Sequence, residues 1–94
     1  MKNKLLEYKD RPLMRHGDTI YYGSMSDSRI IMMQILESED VNGLPVAKRV
    51  VVQLQQTNPN VHGRERIVKK IEKNSLWSAM DIASIWLNRA LNHK

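Results

Sequence analysis

The stretch RIIMMQILESEDVNGLPVAKRVVVQLQQT, residues 29–57, decides the fold. Two long β-prone runs flank Asn42-Gly43, the dipeptide best suited to the paired positive φ angles of a two-residue type I′ hairpin turn. With those two residues as the loop, Val41 faces Leu44, and every further pair has residue numbers summing to 85. One face then pairs Ile35 with Val50, Met33 with Val52 and Ile31 with Leu54, and ends on Glu37 opposite Lys48. The other pairs Leu36 with Arg49, Gln34 with Val51, Met32 with Gln53 and Ile30 with Gln55. Side chains alternate across a strand, so a slip of one residue would destroy this division into an apolar and a mixed face. Pro45 falls opposite Asp40 near the turn, where a missing backbone donor costs least.

On the N-terminal side, PLMRHGDTIYYG (residues 12–23) has two short apolar runs around His16, Gly17 and Asp18, a second hairpin with turn-forming residues at its centre. GSMSDS (23–28) is the link between the hairpins. Residues 1–11 are half charged and without period, which predicts a loosely held arm. On the C-terminal side, NPNVHG (58–63) is a loop, and RERIVKKIEK (64–73) is a further strand at the sheet edge. Ile67 and Ile71 point inward there with Lys69 between them, an inward charge that discourages edge pairing.

The last element is SLWSAMDIASIWLNRALN, residues 75–92. Leu76, Ala79, Met80, Ala83, Trp86, Leu87, Ala90 and Leu91 recur at steps of three and four, which places them on one side of a helix. Ser78, Asp81, Ser84, Asn88 and Asn92 form a narrow polar stripe taken as the solvent side, and Trp77, Ile82 and Ile85 widen the apolar arc beside it. Asn74 and Ser75 offer side-chain oxygens to the orphan N–H groups at the helix start, and Arg89 and His93 suit the negative end of its dipole. The fold expected is α+β: an antiparallel β-meander of four to five strands packed on one long C-terminal α-helix. All of residues 1–94 form a single domain, with the arm at 1–11, the sheet at 12–73 and the helix at 75–92.

Composition narrows the function without naming it. There is no cysteine, which removes disulfides and thiolate chemistry and agrees with a cytoplasmic location. The N-terminus lacks a secretory apolar run, and no segment reaches the ~20 apolar residues that span a bilayer. His16, His62 and His93 have no helical i, i+3 or i, i+4 partner, so no metal site is expected. No glycine-rich phosphate loop, nucleophile elbow or triad arrangement is visible, so no cofactor and no catalytic residue is expected and the chain is read as a non-enzyme. Asp81 is the one carboxylate on a largely apolar helix, and its place in the polar stripe makes it a solvated residue.

Two functional expectations follow. Trp77 and Trp86 lie nine residues apart, about 180° round a helix at ~100° per residue, so they cannot serve one face. With Ile82 and Ile85 they mark a second contact surface, which points to a homodimer that presents itself to a protein partner. The alternative is a nucleic-acid binder. The chain carries a formal net charge of +5, and Arg64, Arg66, Lys69, Lys70 and Lys73 place five cations in ten residues, to which the mixed hairpin face adds Arg49. A basic surface with stacking aromatics holds single strands, and here Tyr21 or Tyr22 would have to supply the stacking. In order of elements the chain resembles whirly-type folds, in which a curled antiparallel sheet backed by a helix binds single-stranded DNA; the likeness is one of architecture alone.

Overall fold

Turns with positive φ set the register of the sheet. The computed structural model of the chain describes residues 6–92. Six antiparallel strands follow one another in simple meander order: β1 (Leu6–Tyr8), β2 (Arg11–His16), β3 (Thr19–Tyr22), β4 (Arg29–Val41), β5 (Leu44–Gln56) and β6 (Ile67–Lys73). A 3-10 turn (Gly63–Arg66) leads into β6, and the helix α1 (Leu76–Asn92) closes the chain.

The central hairpin turns at Asn42 (φ 52°) and Gly43 (φ 85°), both in the left-handed region. Its ladder runs from Arg29 opposite Gln56 to Ile35 opposite Val50, and again from Ser38 opposite Ala47 to Val41 opposite Leu44. These pairs keep the sum of 85. Between them the expected register is corrected: Glu37 faces Arg49, not Lys48, and neither Leu36 nor Lys48 has a partner in the ladder. The irregularity sits where β3 and β6 stop, since β3 reaches only Gln34 and β6 only Val50. Beyond that point β4 and β5 are an unflanked ribbon, and bulges commonly absorb the extra twist of such a two-stranded end. The shift also lets charges pair, with Arg49 Nη1 3.8 Å from Glu37 Oε1 and Lys48 Nζ 3.4 Å from Glu39 Oε1.

The N-terminal arm is corrected more substantially. Residues 1–5 lie outside the described residues, but Leu6–Tyr8 forms β1 and Arg11 already belongs to β2. These strands are joined by Lys9 (φ 52°) and Asp10 (φ 67°), a second turn with both central residues left-handed. Lysine tolerates that region poorly, at a cost of roughly 1–2 kcal/mol, so the sequence gives no turn signal. Tertiary contacts hold the strand instead. The Tyr22 hydroxyl donates to the Tyr8 carbonyl oxygen at 2.9 Å, and the two rings meet edge to face with centroids 5.8 Å apart. Burial raises the pKa of the Tyr22 phenol, Arg11 nearby pulls it back, and Tyr8 and Asp10 push it up again.

The helix begins as expected. Ser75 Oγ accepts the Ser78 backbone N–H at 3.0 Å, satisfying one of the orphan donors of the first turn. Ala79, Ala83 and Leu87 are fully buried on the inner sheet face, against Ile31, Met33, Val50 and Val52, which are equally closed to solvent. The main contacts of α1 are with β5, then β4 and β6. The polar stripe needs one correction: Ser84 is buried and not solvated, its hydroxyl donating to the Asp81 carbonyl at 2.9 Å. That bond to the preceding turn lets a hydroxyl sit in the core. The solvent side is instead Trp77, Asp81, Ile85 and Asn88. His93 lies outside the described residues.

Gly23 shows how tightly helix and sheet meet. It follows β3 with φ 112°, and a Cβ there would stand 2.9 Å from Leu87 Cδ2, itself fully buried. Gly23→Ala is therefore expected to cost about 1–3 kcal/mol through backbone strain and overpacking. Urea unfolding measures this, and an unchanged midpoint would contradict it.

Candidate interaction surfaces

The cations of residues 64–73 do not share one surface. Arg64 is exposed on the 3-10 turn. Arg66 is half-buried, and its Nη1 donates to the Val61 carbonyl at 3.3 Å. Along β6, Lys69 lies opposite Leu54 and Lys73 opposite Val50, on the helix side of the sheet, whereas Lys70 lies opposite Gln53 on the outer side. Strand alternation thus divides what is continuous in sequence. Lys69 Nζ stands 5.5 Å from the centroid of the Trp86 ring, a cation–π contact that occupies both groups.

Arg49 is engaged as well. Its Nε donates to Glu72 Oε2 at 2.8 Å, with Glu37 on its other side. The hydrogen bond from Arg49 lowers the Glu72 pKa, and the same bond raises that of Arg49. The tyrosines divide likewise: Tyr22 is fully buried on the inner face, against Tyr8, and Tyr21 is exposed on the outer face. Gln53 and Gln55 of that face bond to each other, Gln55 Nε2 donating to Gln53 Oε1 at 2.7 Å.

Of the four helix residues expected to mark a second contact surface, Trp77, Ile82, Ile85 and Trp86, Ile82 and Trp86 pack against the core at its margin. Ile85 is exposed, and Trp77 is 80% exposed, more than any other large apolar side chain described. Beside Trp77 a groove of about 340 Å³ opens between the start of the helix and the inner face of β1–β3. Tyr8, Leu13, Ile20, Leu76 and Met80 line it together with Arg15 and Trp77. The groove exists because α1 lies over β4–β6. The guanidinium of Arg11 in β2 reaches the helix further along, donating to Asn88 Oδ1 at 3.1 Å.

A larger trough of about 620 Å³ lies on the outer face, crossing β2–β5 beside the β3–β4 link. Met14 and Met25, 57% and 61% exposed, stand in it with Pro12, Tyr21, Ile30 and Arg66. The sequence pattern hides this site. Its parts come from four strands, the link and the 3-10 turn, and Met25 sits in a run that reads as a polar linker. A third apolar surface is the unflanked ribbon, where Leu36, Val41, Leu44 and Val46 are exposed.

Among the described residues, no three or more His, Asp or Glu side chains are grouped so as to hold a metal ion. No described helix is long and apolar enough to cross a membrane. No protein-family model, curated protein or solved structure matches the chain.

The Arg49–Glu72 pair makes a direct test of this geometry. A carboxylate whose pKa is lowered in the fold adds stability above its unfolded value, which is lost as pH falls through the lowered one. In Arg49→Met, the Glu72 carboxyl is expected to titrate at higher pH than in the parent, followed by the NMR shift of its carboxyl carbon. Identical titration in both proteins would contradict the pairing.

Proposed function

We propose that this chain is a non-enzymatic interaction module that works as a homodimer, joined through the Trp77 end of its helix. The observation that carries the reading is the juxtaposition of an 80% exposed tryptophan with an apolar groove on the same patch. A two-fold interface brings the same patch of each copy together, so a projection and a hollow lying side by side are satisfied at once. Trp77 of one copy enters the groove of the other, between Leu13, Ile20, Leu76 and Met80, and Ile85 extends the contact along the helix. Asp81, one turn after Trp77, and Arg15, in the groove, provide opposite charges for its border. The exposed residues of the β4–β5 ribbon are left to meet a protein partner.

The nucleic-acid alternative draws less support from the geometry, because Arg49 and Lys69 are engaged and the remaining cations are divided between faces. A mixed-sequence single strand that binds at low salt and dissociates steeply as salt rises would restore it.

Light scattering tests the dimer. Wild-type protein is expected to have twice the mass of the chain at high concentration. Loss of a central aromatic anchor typically costs 2 kcal/mol or more, roughly 30-fold in affinity, so Trp77→Asp is expected to be monomeric and folded. Met14→Asp, on the other side of the sheet, is expected to remain a dimer. A wild-type monomer, or a Trp77→Asp protein that still dimerises, would overturn the assignment.

A further inference from the structure

We propose that the outer-face trough is a binding site for a small amphipathic anion: an apolar body in the hollow and a carboxylate or similar head group on Arg66. The inference is separate from the dimer reading, since the trough and the Trp77 groove lie on opposite faces of the sheet.

Three observations carry it. The first is size. At about 620 Å³ the trough falls within the 300–1,000 Å³ range of small-molecule sites and is small for a folded partner.

The second is the apolar end. Met14 and Met25 project into solvent from a strand and from the link, with Tyr21 beside them, 39% exposed, over a floor formed by buried Ile30. Exposed methionines flanking an aromatic ring make a surface that can reshape itself around an alkyl or aryl group. Met14 and Met25 leave more than half of their surface open to solvent, and covering it is favourable at about 25 cal/mol per Å² of apolar surface removed from water.

The third is the charge. Arg66 is half-buried at the trough, and no carboxylate of the described residues lies within ion-pair distance of its guanidinium. Among the described residues its one hydrogen bond goes from Nη1 to the Val61 carbonyl at 3.3 Å, which orients the group and engages only one of its five N–H donors. A planar guanidinium held in this way presents a fork that matches a carboxylate. The neighbouring amides are fixed too: Gln56 Nε2 donates to the Glu65 carbonyl at 3.0 Å, and Gln55 Nε2 donates to Gln53. Glu65 itself is exposed and turns its backbone toward this cluster through that bond.

The probe is 11-(dansylamino)undecanoic acid, whose fluorescence rises on entering an apolar site, compared with its neutral methyl ester. The acid is expected to bind saturably at one site per chain, about tenfold or more tighter than the ester, as loss of a charge-assisted hydrogen bond implies. Arg66→Gln is expected to weaken the acid by a similar factor and leave the ester unchanged. Met14→Asp is expected to weaken both. Trp77→Asp is expected to bind as the parent does, which separates this site from the dimer contact. Two-dimensional NMR with the acid should shift Tyr21, Met25 and Ile30. Equal affinity for acid and ester, binding unaffected by Arg66→Gln, or shifts confined to the Trp77 groove would each overturn the proposal.

Discussion

Everything in this structure depends on one close approach, that of Ala79, Ala83, Ser84 and Leu87 on the inner face of β4 and β5. Small residues at 79, 83 and 84 let the helix backbone come near the strands, and the side chains beneath them, Ile31, Met33, Val50 and Val52, lose all contact with water. Gly23 is recruited to the same packing, with no room for a Cβ against Leu87. A chain without phenylalanine has few bulky groups to fill a gap, so its core relies on closeness rather than on aromatic volume.

That approach has a geometric consequence for the rest of the sheet. A helix with its side chains is ~10 Å across, and strands are spaced about 4.8 Å apart, so one helix covers two or three strands. The sheet has six. With α1 seated over β4–β6, the inner face of β1–β3 is only partly covered, and Tyr8, Leu13 and Ile20 are left beside an exposed Trp77. The excess of apolar surface is therefore a property of the architecture, and it is the surface that the proposed dimer would cover. Among the described residues no element covers the outer face, which keeps its own apolar trough with Arg66 at its side.

Much of this was legible in the sequence, for identifiable reasons. Asn42-Gly43 named its own turn, and the register followed from alternation over Ile31, Met33, Ile35, Val50, Val52 and Leu54. Ser75 marked the helix start through its side-chain oxygen, and the spacing of Trp77 and Trp86 required them to face apart. What escaped was set by contacts distant in sequence. β1 is invisible because its turn is Lys9-Asp10, with no glycine or asparagine to signal it, and because Tyr22 holds it from fourteen residues away. The register break at Leu36 depends on where β3 and β6 end. Ser84 looked solvated because it steps with Asp81 and Asn88 in one polar stripe, and its bond to the Asp81 carbonyl is what lets it be buried. Alternation along a strand already turned Lys69 inward, but that Glu72 holds Arg49 and that Trp86 meets Lys69 are contacts distant in sequence, and they further break up the basic run.

The central claim is that the groove beside Trp77 is filled by the Trp77 of a second copy. Isotope-filtered NMR on an equal mixture of labelled and unlabelled chains tests it most directly. Intermolecular NOEs from the Trp77 indole protons to the methyl groups of Leu13, Ile20 and Met80 are the expected result. Their absence at a concentration where the protein is dimeric, or intermolecular contacts confined to the outer sheet face, would contradict the account.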